Sequence, residues 1–210
     1  MDIFIRPEES KDYRIVEELT REAFWNLHVP GCNEHLLAHN LRSCGAFVSE
    51  LDFVAESGGE VAGNIMYCRS KVIREDGTEH EVLTFGPVSV WPKLQSKGIG
   101  AALIRHSLTV AADMGFTAVL IYGDPAYYVR FGFKPAQAYD IRTAHGRFHQ
   151  ALQALELVPG ALNGISGRFC EDEAYNVDDA ELEAFDATFT PKEKFVTESQ
   201  KKFLELLNGG

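Results

Sequence analysis

No stretch of this chain is apolar over the length a membrane span needs, about 20 residues, so no membrane partner is expected. Met1 to Pro7 carries no basic segment leading into an apolar core, so no signal peptide is read and a cytoplasmic protein is expected. Cysteine is sparse: Cys32, Cys44, Cys68 and Cys170 form no Cys-x-x-Cys pair and fall short of a disulfide scaffold. Basic charge is short as well, with 20 Lys and Arg against 31 Asp and Glu and a net charge of −11. Nucleic acid wants a basic stripe, and that partner is excluded. The deficit is local. Eight acids and no Lys or Arg lie between Glu171 and Asp186, leaving 23 acids against 20 bases elsewhere. Such a run reads as a solvated loop and helix face that mildly attracts a cationic amine.

What is present is a globular composition. The 210 residues, 45% hydrophobic and 24% charged, suffice for one packed domain with an appendage. Ile3 to Arg6 alternates like a first strand, and Ser10 opens a helix carrying Ile15, Val16, Leu19, Ala23 and Phe24. Pro30-Gly31 breaks the chain before a second helix over Asn33 to Ser43. Ala46 to Ser49 and Phe53 to Ser57 read as strand or strand-plus-turn, and a longer strand, Val61 to Val72, is turned by Asp76-Gly77 into Glu79 to Val90. A helix over Gly98 to Met114 buries Leu103, Ile104, Leu108, Ala111 and Met114, and Gly115 caps it. An apolar strand, Phe116 to Tyr122, and a short helix, Pro125 to Phe131, precede strands near Phe133 to Ile141 and Ala151 to Leu157. This order gives an α/β domain at 1–157 with helices on both sheet faces. Residues 158–210 read as an extension packed on the same domain, over the substrate end or at a homodimer contact, with helices at Asp179 to Ala187 and Thr197 to Leu207. Cys32, His35, His39 and Cys44 lie close in sequence, but their spacing matches no common structural zinc site. They are read as a polar helix with solvent-facing histidines, and no metal is expected.

The most informative segment joins the strand ending Pro87-Val88-Ser89-Val90 to the helix opened by Gln95-Ser96-Lys97-Gly98-Ile99-Gly100. Glycines at 98 and 100 let an anion approach the backbone. The first N–H groups of the helix lack intrahelical partners and sit at its positive end, which suits a pyrophosphate. Neither common nucleotide motif is complete. Leu103 occupies the third-glycine position of a dinucleotide fingerprint, and Lys97 precedes Gly98 where a P-loop has Lys after Gly. Taken alone, the glycines are read equally well as serving a tight turn.

Gln-x-x-Gly-x-Gly at Gln95, Gly98 and Gly100 resembles the acetyl-coenzyme A motif of the GNAT superfamily of N-acetyltransferases. Downstream, Tyr128 to Phe133 keeps the Tyr-x-x-x-Gly-Phe spacing of the same family, in the expected order. The resemblance extends over residues 1 to about 157. It implies a mixed, mostly antiparallel sheet and an acetyl-coenzyme A co-substrate. It also implies acetyl transfer to a primary amine of a small molecule or a peptide or protein. Carried over position by position, it puts the pantetheine arm along the backbone of Val88, Ser89 and Val90. The diphosphate then rests on the amides from Gln95 through Ser96, Lys97, Gly98, Ile99 and Gly100 to Ala101. Asp124 stands where relatives have an Asn contacting the arm, and Tyr128 is the general acid for the departing thiolate, with Tyr127 as fallback. Lys97 adds charge there or is a solvated loop lysine. Pro87 marks either a splay that makes the cofactor slot or a simple bulge. Where several relatives place a Glu base, this chain has Thr84, which is no base; His80 and Glu81 lie upstream on the strand. A second reading therefore stands beside the enzyme: a non-catalytic acyl-coenzyme A sensor that kept the cradle.

Overall fold

The computed structural model describes residues 2–201. The helix expected over Thr197 to Leu207 is helical at 198–201, and its apolar positions Phe203, Leu204 and Leu207 lie outside the described residues. In chain order the elements are β1 (Phe4–Pro7), α1 (Tyr13–Phe24), α2 (Glu34–Leu41), β2 (Phe53–Ser57), β3 (Glu60–Ile73) and β4 (Glu79–Val90). There follow α3 (Ile99–Asp113), β5 (Ala118–Tyr122), α4 (Pro125–Tyr128), β6 (Lys134–Pro135), β7 (Ile141–Arg142), β8 (Leu152–Glu156), β9 (Gly167–Cys170) and α5 (Asp179–Asp186). Among the described residues nine strands form one mixed sheet in the order β1-β2-β3-β4-β5-β8-β6, with β9 beside β3 and β7 beside β9. Pairing is antiparallel except for β4–β5 and β7–β9.

Two features of β4 shape the site. Its parallel contact with β5 is one register pair, Leu83 with Val119, and beyond it the two strands part. On its other edge Phe85 faces Tyr67 and Val88 faces Ile65, so Gly86 and Pro87 together oppose Met66 alone. That is a β-bulge, which bends the strand. The bulge read for Pro87 is present, and a gap opens on the β5 side of the strand at the same place.

Helices cover both faces. α3 buries Ile99, Leu103, Ile104 and Ala111 in a core with Ile65, Tyr67, Phe85, Val119 and Ile121. Tyr67 and Ser107 hydroxyls meet there at 2.8 Å. Met114, expected in this core, is 40% exposed, because the helix closes one residue before it. Gly115 N–H donates to Ala112 and Phe116 N–H to Ala111, a paired C-terminal closure that swings Met114 off the buried stripe. On the opposite face α1 packs on β3 and β4, with Thr20 and Ser89 hydroxyls 2.8 Å apart in the interior. Leu41 and Ala38 of α2 pack on Met66 and Cys68.

Residues 46–49 take the strand-plus-turn form, a single bridge of Phe47 with Cys68 before a tight turn at Ser49–Leu51. Two local expectations differ. The segment 133–141 splits into β6 and β7 around a turn at Ala136–Tyr139. β9 was not expected at all; it pairs with Lys71 to Ile73 of β3, bringing the C-terminal segment into the sheet.

That segment continues across the α1–α2 face. Asp186 receives Arg21 Nε at 2.7 Å and lies 3.3 Å from His35 Nε2. Trp25 Nε1 donates to the Glu193 carbonyl at 2.9 Å. The acidic run is therefore partly built in rather than wholly solvated. His35 does not face solvent, as its spacing suggested. It is fully buried against the rings of Phe185 and Phe189, and burial lowers its imidazole to about 4. Cys32 Sγ is 3.4 Å from His35 Nδ1, whereas His39 bonds Glu17 and Cys44 faces Cys68. Among the described residues no group of three or more His, Cys, Asp or Glu is placed to hold a metal ion.

Candidate active site

The gap beside β4 is a cleft of about 860 Å³. One wall is the free edge of β4, presenting Val88 and Val90. The Trp91 N–H donates to Ala62 of β3. Because successive N–H groups of a strand point to opposite sides, the Val90 N–H turns into the gap. The Val90 carbonyl on that same side accepts from Gln95 Nε2 at 3.2 Å, so Gln95 braces the strand end. The Ser89 side chain does not reach the cleft, because its hydroxyl is buried on Thr20; only its main chain runs along this edge.

The floor is the turn into α3, with Gln95, Ser96, Gly98, Ile99, Gly100 and Ala101 all on the cleft wall. Ser96 and Gly98 both have positive φ, 60° and 90°, which rolls successive amides toward one side. A Cβ on Gly98 would meet nothing within 4 Å, so glycine is needed there for its backbone conformation, not for room. Ala102 N–H makes the first helical bond, to Gly98, and the amides of Ser96 to Ala101 donate to no backbone carbonyl among the described residues. Gln95 is the exception in the expected set, since its amide donates to Pro92 at 3.3 Å. Lys97 is not on the cleft wall; its Nζ turns back to the Lys93 carbonyl at 2.9 Å.

Across the cleft stand Asp124, Tyr127, Tyr128 and Arg130. Asp124 Oδ1 accepts the Ala126 N–H at 2.9 Å and so caps α4. Tyr128 is half-buried and touches the rings of Phe85, Phe133 and Tyr127. Burial first, then Tyr127 and the Asp124 carboxylate, hold its phenol above the ordinary tyrosine range. It is protonated at neutral pH, with a proton to give. Thr84 is buried, Glu81 is paired with Arg69 at 2.8 Å, and His80 lies six residues up β4 from Gly86, about 20 Å at the rise of a strand.

A smaller cavity of about 320 Å³ adjoins the cleft and shares Phe24, His28, Val88, Asp124 and Tyr128 with it. Its far wall is the Gly86-Pro87 bulge together with Glu171 and Tyr175 of the C-terminal segment. Tyr175 donates its hydroxyl to the Gly86 carbonyl at 3.3 Å. Burial raises the Glu171 carboxyl to about 7.

The sequence reading missed several of these residues. Arg130, two after Tyr128, was a visible signal: a cation inside the second motif. Phe24, Leu27 and His28 reach the site because α1 ends there. Glu171 was read as one acid in a solvated run, and nothing local distinguished it from its neighbours.

Known proteins resemble this chain in sequence and fold. Residues 13–133 match the family model described as the acetyltransferase (GNAT) family. The uncharacterized N-acetyltransferase YhbS of Escherichia coli (strain K12) is 30% identical over 143 residues, 68% of this chain and 83% of that protein. The crystal structure of Escherichia coli YhbS in complex with CoA superposes with a TM-score of 0.74 at 30% identity, covering 83% of this chain and 92% of that one. A GNAT family acetyltransferase from Brucella melitensis in complex with acetyl-CoA gives 0.66 at 29% identity over 83% and 98% of the two chains. With its parted β4 and β5 and the amide-lined turn between β4 and α3, the chain belongs to the GNAT acetyltransferase family.

Proposed function

We propose that this chain moves an acetyl group from acetyl-coenzyme A to a primary amine. The observation that carries the reading is the convergence, in one cleft, of unengaged amides from Ser96 to Ala101, the open edge of β4 and the protonated phenol of Tyr128. The amides and the positive end of α3 hold the diphosphate, and Arg130 offers a cation beside them. The edge of β4 aligns the pantetheine arm. The Val90 N–H polarises the thioester carbonyl and stabilises the negative charge that grows on its oxygen, a contribution of about 3 kcal/mol when aligned. Tyr128 gives its proton to the sulfur as the carbon–sulfur bond breaks. Asp124 holds α4 in place and so sets where Tyr128 stands.

The same reading treats 1–157 as the catalytic domain and 158–210 as an extension that completes the acceptor side. All four cysteines are free, as a reducing cytoplasm keeps them. Thr84 at the family's strand-carboxylate position favours a second reading, an acyl-coenzyme A sensor without turnover. Calorimetry with acetyl-coenzyme A, followed by thiol release across an amine panel, tests both. Binding with turnover supports the enzyme, and binding with silence on every amine supports the sensor. No binding at millimolar acetyl-coenzyme A removes the cradle and both readings with it.

A further inference from the structure

The small cavity behind Tyr128 is built for more than packing. It meets the cofactor cleft at Val88, Asp124 and Tyr128, where the acetyl group would lie if the proposed function holds. Its walls carry the aromatic rings of Phe24, Phe85, Tyr122, Tyr128 and Tyr175, and among the described residues they include no Lys or Arg. They hold three carboxylates. Asp124 is committed to capping α4, and Glu34 lies 3.5 Å from His28 Nδ1. Glu171 makes no hydrogen bond or ion pair among the described residues.

We propose that this cavity binds the acceptor as a small primary amine with an apolar or aromatic body, and that Glu171 takes the amine's proton. The proposal rests on the acetyltransferase reading and names the base that Thr84 does not supply. A cavity of about 320 Å³ sits at the small end of ligand sites. Aromatic walls with an uncompensated carboxylate suit an ammonium group, through ring faces and charge together.

The surroundings of Glu171 explain its basicity. From β5 it faces Tyr122, and from its own segment Asp172 and Tyr175; Tyr128 and Asp124 come from the α4 side, and His28 and Glu34 from the ends of α1 and α2. On its outer flank stand Arg69 and Lys71, but Arg69 is paired with Glu81 at 2.8 Å and Lys71 with Glu79 at 2.6 Å. Among the described residues no Lys or Arg is left to compensate Glu171, and burial lifts its carboxyl to about 7. The carboxylate thus ionises across neutral pH, where a base has most use.

The step balances. The ammonium gives one proton to Glu171 and becomes a neutral amine. Its nitrogen lone pair forms the C–N bond as the C–S bond breaks and the sulfur takes the bonding pair. Tyr128 protonates the sulfur and recovers a proton from the new amide nitrogen, and Glu171 returns its own proton to water. The products are the acetamide, free thiol and one proton.

The test uses the full chain, acetyl-coenzyme A and three acceptors: phenethylamine, spermidine and a lysine-containing hexapeptide. Wild type should acetylate the small amines, with kcat rising through about pH 7. Glu171→Gln should lose about 100-fold in kcat, lose that pH dependence, and bind acetyl-coenzyme A within about twofold of wild type. A variant with the wild-type profile overturns the base while leaving acetyl transfer intact. Turnover on the hexapeptide alone overturns the acceptor class, and no turnover on any acceptor removes both. A carboxyl ¹³C titration of wild type, with and without phenethylamine, reads the site even if the variant folds poorly. A Glu171 signal that titrates near 7 and moves on adding amine supports the proposal. An ordinary carboxyl indifferent to amine overturns it.

Discussion

The ring of Tyr128 lies across the bare Cα of Gly123, where a Cβ would stand 2.6 Å from the ring's Cδ2. Gly123 follows β5 directly, so the strand end itself fixes the seat of the phenol. Gly123→Ala should push the ring out of line and lower kcat by about 10- to 100-fold, since small misplacements near reacting atoms are expensive. Acetyl-coenzyme A affinity should hold, because the cradle is on another element. Steady-state kinetics beside calorimetry check this, and an unchanged kcat removes Gly123 from the account.

Tyr128→Phe keeps the ring contacts with Phe85 and Phe133 and removes only the hydroxyl. The expected result is a fall in kcat of about 10²- to 10⁴-fold with little change in cofactor affinity. Comparing a thioester with a more acidic leaving thiol sharpens the test. That substrate needs less protonation and should recover much of the loss in the variant. Equal defects on both substrates count against the acid role.

Gly98→Ala probes the cradle. Nothing would touch the new methyl, yet φ at this position is +90°, a region that costs a side chain about 1 kcal/mol or more. The turn should relax, turning the amides of Ile99 and Gly100 away from the diphosphate. A loss of affinity for acetyl-coenzyme A of about tenfold is expected in calorimetry, with melting only slightly lowered.

Glu171 should leave a signature in stability as well. Its carboxyl is raised from 4.5 to about 7 in the folded chain. A raised carboxylate resists ionisation, so wild type loses stability as pH climbs between those values and carries the full cost above about 7. Glu171→Gln escapes that cost. It should be more stable than wild type at pH 8, by on the order of 2 kcal/mol or several degrees in Tm, and match it near pH 4. Thermal melts at the two pH values decide it; a variant no more stable at pH 8 contradicts the burial argument.

The sequence was most readable where order along the chain and order in space coincide. Asp76-Gly77 ties β3 to β4, so the long hairpin could be read from its turn and its flanking apolar residues. The start of α3 was equally visible because Gly98 has a local reason to be glycine. β9 was not, since Gly167-Arg168-Phe169-Cys170 is too short to show alternation and its partner, Lys71 to Ile73, lies about a hundred residues back. The small cavity beside Tyr128 was hidden for the same reason. Tyr175 and Gly86 are 89 positions apart, and only the folded chain brings them together. His35 misled because helical spacing says which residues share a face but not what later covers it; here Phe185 and Phe189 do.

The bond from Tyr175 to Gly86 also joins a late-made part of the chain to one made much earlier. A nascent polypeptide that has emerged only as far as β8 already holds β4, the turn into α3 and α4, yet the small cavity beside them still lacks Glu171 and Tyr175. On the proposed function, a chain without that wall leaves its bound thioester open to hydrolysis.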